Sequence, residues 1–215
     1  MLFDKNDRVL FIGDSISDYN RVRPVGEGLG NAWGTSYVAN VGALLGCMYP
    51  ELHLRVTNMG CSGNQVRDLE DRWEKDVMEL HPDWVCVLIG INDVWRTFDM
   101  PELTEKHVSP ESFRDGYERL ITRTLPSVKG MILMTPYFME PNKADPMRVR
   151  MDMYGDIVKS LGNKYGLKVV DLQEGWDKLF QYMHPCNIAW DRIHPNQTGS
   201  MYIAKQFLEA VGFDR

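Results

Sequence analysis

Apolar positions along the chain fall into two alternating patterns. Short continuous runs occur at Arg8–Ile12, Leu54–Asn58, Trp84–Ile89, Gly130–Met134 and Leu167–Asp171. The first three end at Gly13, Met59-Gly60 and Gly90, and the fourth at Thr135-Pro136. Runs of this length predict strands, and a continuous one such as Arg8–Ile12 predicts a strand buried on both faces. Between them, apolar residues recur at steps of three and four. Val66, Leu69, Trp73, Val77 and Leu80 predict a helix ended by His81-Pro82, and Met147, Met151, Tyr154, Val158, Leu161 and Tyr165 another closed by Gly166. Met201, Ala204, Leu208 and Val211 form a third stripe, and the methionines in all of them read as core. Five strands alternating with helices predict an α/β fold with a parallel sheet covered on both faces. No repeat, linker or low-complexity segment interrupts the pattern, so residues 1–215 read as a single domain.

Composition narrows the function classes. Hydrophobic residues make up 44% and charged residues 25% of the 215 positions, which excludes a disordered or fibrous chain. Thirty acidic against 24 basic residues leave a net charge of −6, and no Lys/Arg cluster appears, so no nucleic-acid partner is expected. Mean hydropathy is −0.33 and the densest apolar stretch, Val85–Ile91, is too short to span a bilayer, so no membrane partner is expected either. The N-terminal MLFDKNDR is charged where a signal peptide needs its apolar segment. Cys47, Cys61, Cys86 and Cys186 show no CxxC or metal-ligand spacing and read as reduced thiols of a cytoplasmic protein. The glycines between Asp18 and Gly34 lack GxGxxG spacing and follow no strand directly, which argues against a dinucleotide site.

In an open α/β sheet the chemistry gathers beyond the carboxyl ends of the strands. The first three predicted strands deliver Gly13-Asp14-Ser15, Gly60-Cys-Ser-Gly63 and Gly90-Ile-Asn92-Asp93, and a later turn adds Asp191-Arg-Ile-His194-Pro195. Ser15 has two readings, a helix N-cap or a nucleophile that needs a base. His194 alone among the five histidines has an acidic residue three positions before it, Asp191, which can hold one imidazole nitrogen and leave the other for Ser15. A local surface pair is the alternative for these two residues. Donors for an oxyanion are available at the Ser15 N–H, the Gly60 N–H and the Asn92 side-chain amide; the alternatives are an ordinary strand-to-helix turn at Gly60 and a capping Asn92. Asp14 and Asp93 are expected to support loops, Arg21 and Arg23 to be solvated or to line the approach, and Trp95 and Trp190 to stack on substrate or to pack.

These residues, as the ordered blocks Gly13-Asp14-Ser15, Gly60, Gly90-Ile-Asn92-Asp93 and Asp191-x-x-His194, resemble the SGNH (GDSL-type) hydrolases across almost the whole chain. The longer stretches FIGDSISD, RVRPVGEGLG, GINDVWR, ILMTPYF, DPMR and AWDRIHP are similar to intracellular carbohydrate esterases that remove acetyl groups from xylan-derived oligosaccharides. The resemblance implies a three-layer α/β/α flavodoxin-like sandwich with a five-stranded parallel sheet. It implies a Ser15, Asp191, His194 triad with an oxyanion hole from Ser15, Gly60 and Asn92, and neither metal nor organic cofactor. The implied partner is a small acetylated saccharide, and the implied assembly a homo-oligomer. Three rivals remain at this level: a lysophospholipase or thioesterase for long acyl chains, a non-catalytic carbohydrate-binding protein, and a metal phosphoesterase using Asp14, Asp18, Asp191 and His194. The metal reading requires inhibition by a chelator.

Overall fold

The structure, a computed structural model, describes residues 1–213. Strands β1 (Arg8–Gly13), β2 (Arg55–Asn58), β3 (Trp84–Leu88), β4 (Gly130–Met134) and β5 (Lys168–Val170) form one parallel sheet in the order β2-β1-β3-β4-β5. Eight α-helices accompany it among the described residues: α1 (Ser15–Asp18), α2 (Tyr37–Met48), α3 (Val66–Asp76), α4 (Ile91–Asp99), α5 (Pro110–Thr124), α6 (Pro146–Tyr165), α7 (Leu172–Leu179) and α8 (Gln197–Ala210). Each expected strand is present within one residue of its predicted ends, and the three-layer α/β/α arrangement follows from how the helices pack. Helices α2 and α8 pack on each other, as do α3 with α5 and α5 with α6.

The continuous apolar runs explain the layering. Val9, Leu10, Phe11 and Ile12 are all buried because successive side chains of β1 enter opposite layers. Phe11 meets Tyr37 of α2 at a centroid distance of 5.9 Å and Phe207 of α8 at 5.0 Å. On α5, Tyr117 donates to the Val87 carbonyl of β3. The core runs without a break from Phe3 to Val211.

Two expectations need correction. The helix predicted through Leu80 stops at Asp76, and a 3₁₀ turn covers Met78–Leu80. Pro82 disfavours a helical His81, which takes a left-handed conformation at φ 48° and turns the chain toward β3. Met201 is exposed, not core. The buried face of α8 runs through Ser200, Ile203, Ala204, Phe207 and Leu208, so Met201 sits one residue, about 100° of helix rotation, off it.

The strand order places the site. From β1 the chain goes first to β2 on one side and then crosses to β3 on the other, so strand order reverses between β1 and β3. Loops leaving neighbouring strands there diverge to opposite faces and open a crevice at their carboxyl ends.

Trp73 of α3 is fully buried and donates its Nε1–H to Thr124 Oγ1 at 2.9 Å. Trp73→Ala is expected to lower the unfolding free energy by about 3–5 kcal/mol. Thr124→Val, which leaves the indole N–H without its acceptor and removes the hydroxyl's bond to the Leu120 carbonyl, is expected to cost about 1–3 kcal/mol. Urea unfolding of the two variants checks both the values and their order.

Candidate active site

Ser15 is the first residue of α1, directly beyond β1. The capping role open to it is taken by Asp14, whose Oδ1 accepts the Ile16 N–H at 2.9 Å. The Ser15 side chain is therefore free, and its Oγ lies 2.8 Å from His194 Nε2. On the other side of the ring, His194 Nδ1 lies 2.6 Å from Asp191 Oδ2. Asp191 Oδ1 accepts the N–H groups of Ile193 at 2.9 Å and His194 at 2.8 Å, so one carboxylate fixes both the backbone turn and the imidazole. Burial pushes the Asp191 carboxyl up, but the bonds from the His194 ring and the two backbone N–H groups outweigh it and hold its pKa below the ordinary 3.8. The Asp191 turn is itself anchored. Tyr19 donates to the Pro195 carbonyl, Tyr137 to the Ile193 carbonyl, and Arg192 pairs with Glu140. Asn196 caps α8, accepting the Gly199 N–H.

Asn92, in the first turn of α4, is almost wholly buried. Its Oδ1 accepts from Arg96 at 2.9 Å, and its Nδ2 donates one hydrogen to the Asn64 carbonyl at 3.0 Å. The amide orientation is thus set at both atoms, and the second Nδ2 hydrogen remains available as a donor.

Gly60 does not fill the place expected of it. Its N–H is buried and bonded to Asn58 Oδ1 at 2.9 Å, so it has no hydrogen to offer a substrate. Its lack of a side chain serves packing: a Cβ there would lie 2.4 Å from the Asp18 nitrogen of α1. Three residues on, Gly63 is exposed, sits at φ +85° and has no such crowding. The turn carrying it is stitched to the site, since Cys61 N–H donates to the Gly13 carbonyl and the Asn64 carbonyl accepts from Asn92. The sequence did carry a signal, Asn58-x-Gly60, in which an Asn side chain accepts the N–H two residues on.

The surrounding residues divide unexpectedly. Arg21 is buried and donates to the carbonyls of Gly60, Val22 and Pro24, and burial brings its pKa down to about 10. Arg23 pairs with Asp18, which also accepts the Ser62 N–H and hydroxyl. Trp95 packs beside the triad, 6.2 Å from the His194 ring, with Arg96 over its face at 4.6 Å. Trp190 is 87% exposed. The metal reading loses its ligands: Asp14 caps a helix, Asp18 is paired with Arg23, and Asp191 serves His194. No group of three or more His, Cys, Asp or Glu among the described residues could hold an ion.

The model of the GDSL-like Lipase/Acylhydrolase family matches residues 11–201 of this chain. The chain belongs to that family. It is 48% identical over 214 residues to an acetylxylan esterase of Geobacillus stearothermophilus, covering 100% of this chain and 98% of the relative. The crystal structure of an acetylxylan esterase from that organism superposes with a TM-score of 0.98 at 48% identity, covering 100% of this chain and 98% of the other. An α/β hydrolase, LAE5, from the metagenome of Lake Arreo in Spain reaches 0.98 at 50% identity, covering 99% and 98%. Structures of the Geobacillus enzyme include catalytic mutants S15A, D191A and H194A, which bear the residue types and numbers of the triad here. As a member of the family, the protein is a carboxylic ester hydrolase of the Ser-His-Asp type.

Asp14 and Asp93 flank the site fully buried, and desolvation drives both carboxyls up to about 7 despite a backbone N–H bond to each. The folded state therefore holds these protons more tightly than the unfolded chain. Their contribution to stability is complete below the ordinary 3.8 and declines as pH rises through about 7. Asp191 acts in the opposite sense, its contribution being lost as pH falls through its lowered value. Asp93→Asn keeps an acceptor for the Val66 N–H and removes the proton. Its stability relative to wild type is expected to increase from about pH 4 to about pH 7, measured by urea unfolding across that range. A difference independent of pH contradicts the assignment.

Proposed function

We propose that this protein is a serine carbohydrate esterase that removes acetyl groups from xylo-oligosaccharides or closely related sugars through an acetyl-Ser15 intermediate. The observation that carries the reading is the unbroken chain from Ser15 Oγ through the His194 ring to Asp191. His194 Nε2 takes the Ser15 proton as Oγ attacks the acetyl carbon. The Ser15 N–H and the Asn92 amide receive the developing oxyanion, and Gly63, exposed between Ser62 and Asn64, takes the place of Gly60 as third donor. The imidazolium, its charge balanced by Asp191, gives the proton to the departing sugar oxygen. Water attacking acetyl-Ser15 then gives its proton to the same nitrogen, acetate leaves, and Ser15 recovers its hydrogen. Every step uses side chains and backbone groups of this chain, with no metal or organic cofactor.

Similarity to acetylxylan esterases over the full chain supports the substrate class. The half-open, polar and aromatic surroundings (Ser62, Asn64, Trp95, Arg96) suit a hydrated sugar ester better than a long acyl chain. In the same reading the whole chain acts as one catalytic domain in the cytoplasm, as a homo-oligomer. Exposed free thiols at Cys47 and Cys186 support a reducing compartment, and the exposed rings of Trp190 and Tyr182 support self-association. No helix among the described residues is long and apolar enough to cross a membrane.

The test is a comparison of kcat/KM for acetylated xylo-oligosaccharides and a long-chain p-nitrophenyl ester. Higher values for the sugars are expected, whereas preference for the long ester assigns the same triad to a lipase-type substrate. Asn92→Ala is expected to lower kcat about 10²- to 10³-fold with little change in KM, read from initial rates.

A further inference from the structure

Arg72 projects from α3 beneath the catalytic crevice, and its guanidinium joins three separate segments. Nη2 donates to the Gly13 carbonyl at 3.1 Å, at the end of β1. Nη1 donates to the Met59 carbonyl at 2.9 Å, one residue beyond β2. Nε donates to Asn64 Oδ1 at 2.7 Å, in the turn that follows. Asp76, one helical turn along α3, accepts from Nη1 at 2.7 Å and fixes the direction of the side chain.

The acceptors are adjacent to the proposed oxyanion donors. Gly13 lies two residues before Ser15, Asn64 directly follows Gly63, and the Asn64 carbonyl takes the Asn92 amide hydrogen. We propose that Arg72 is a positioning residue for the ester hydrolysis, holding the Ser15, Gly63 and Asn92 donors in register by clamping the ends of β1 and β2 to the Asn64 turn. The inference rests on the oxyanion assignment above and adds to it the residue that organises the donors. A planar guanidinium suits the task because its fixed fork of donors satisfies diverging acceptors at once, which a lysine ammonium cannot match. Arg72 bonds to none of the triad side chains, so its effect passes through the groups it holds. Displacing such donors by about 1 Å is enough to cost about 10²-fold in rate.

The experiment compares Arg72→Lys, Asn64→Ala, Asn92→Ala and the Arg72→Lys/Asn92→Ala double variant on one acetyl ester, with thermal unfolding of each. Arg72→Lys is expected to lower kcat about 10- to 100-fold while KM stays within about twofold. Asn64→Ala, which removes only the acceptor of Nε, is expected to lose kcat in the same manner to a smaller extent. The double variant is expected to be little slower than Asn92→Ala alone, because both changes disable one device. Full multiplication of the two losses, a loss confined to KM, or a wild-type kcat in Arg72→Lys overturns the proposal. If Arg72→Lys does not fold, a wild-type kcat in Asn64→Ala overturns it. A wild-type rate in Asn92→Ala removes the oxyanion assignment and this inference together, whereas a slow Asn92→Ala beside a fast Arg72→Lys removes this inference alone.

Discussion

The bond between Ser15 Oγ and His194 Nε2 joins groups 179 positions apart, and both ends of the chain must be held to make it. Ser15 is fixed by β1 and by the Asp14 cap, which frees its hydroxyl. His194 is fixed by the Asp191 turn, which has no regular secondary structure of its own and is held by Tyr19, Tyr137 and Glu140. Tyr19 closes the circuit, since it lies one residue past α1 and donates to the carbonyl next to His194. Nucleophile and base are therefore parts of one bonded unit at the carboxyl edge of the sheet.

The site is maintained against the preference of its own groups for water. Asp14 and Asp93 are buried carboxyls beside Ser15 and Asn92, and each leaves its second oxygen without a protein partner. Arg21 and Arg72 bring cations into the same layer, satisfied by carbonyls and by carboxylates at the margin. Backbone carbonyls where the ladder ends have a lone pair to spare, and guanidinium groups that bond them convert loose loop starts into fixed ones. Polar groups at such places cost stability and return rigidity where the reaction needs it.

Much of this was legible in the residues alone. The apolar runs marked β1, β3 and β4 because a strand covered on both faces has little polar phase to blur it, whereas the edge strands β2 and β5 carry exposed Arg55 and Lys168 within shorter runs. The triad was legible because Asp191 and His194 are local in sequence and Ser15 follows a strand. What sequence misassigned depended on which of two neighbours a hydrogen bond reaches. Gly60 and Gly63 share a turn, and only the Asn58 side chain decides that Gly60 is the one whose N–H is consumed. Arg21 looked like a solvated loop cation, yet the loop folds over it and closes on β2 through Gly26 and Asn58. Met201 kept the right spacing on the wrong face, because an intended period of three or four does not fix where a helix docks.

Activation of Ser15 by His194 is what the site's chemistry depends on. The most direct measurement is labelling with a serine-directed fluorophosphonate, followed by peptide mass spectrometry and residual activity on an acetyl ester. A single adduct on Ser15, loss of activity in proportion to labelling, and slow labelling in His194→Ala are predicted. An adduct elsewhere, or full activity retained when Ser15 is completely labelled, contradicts that role of Ser15.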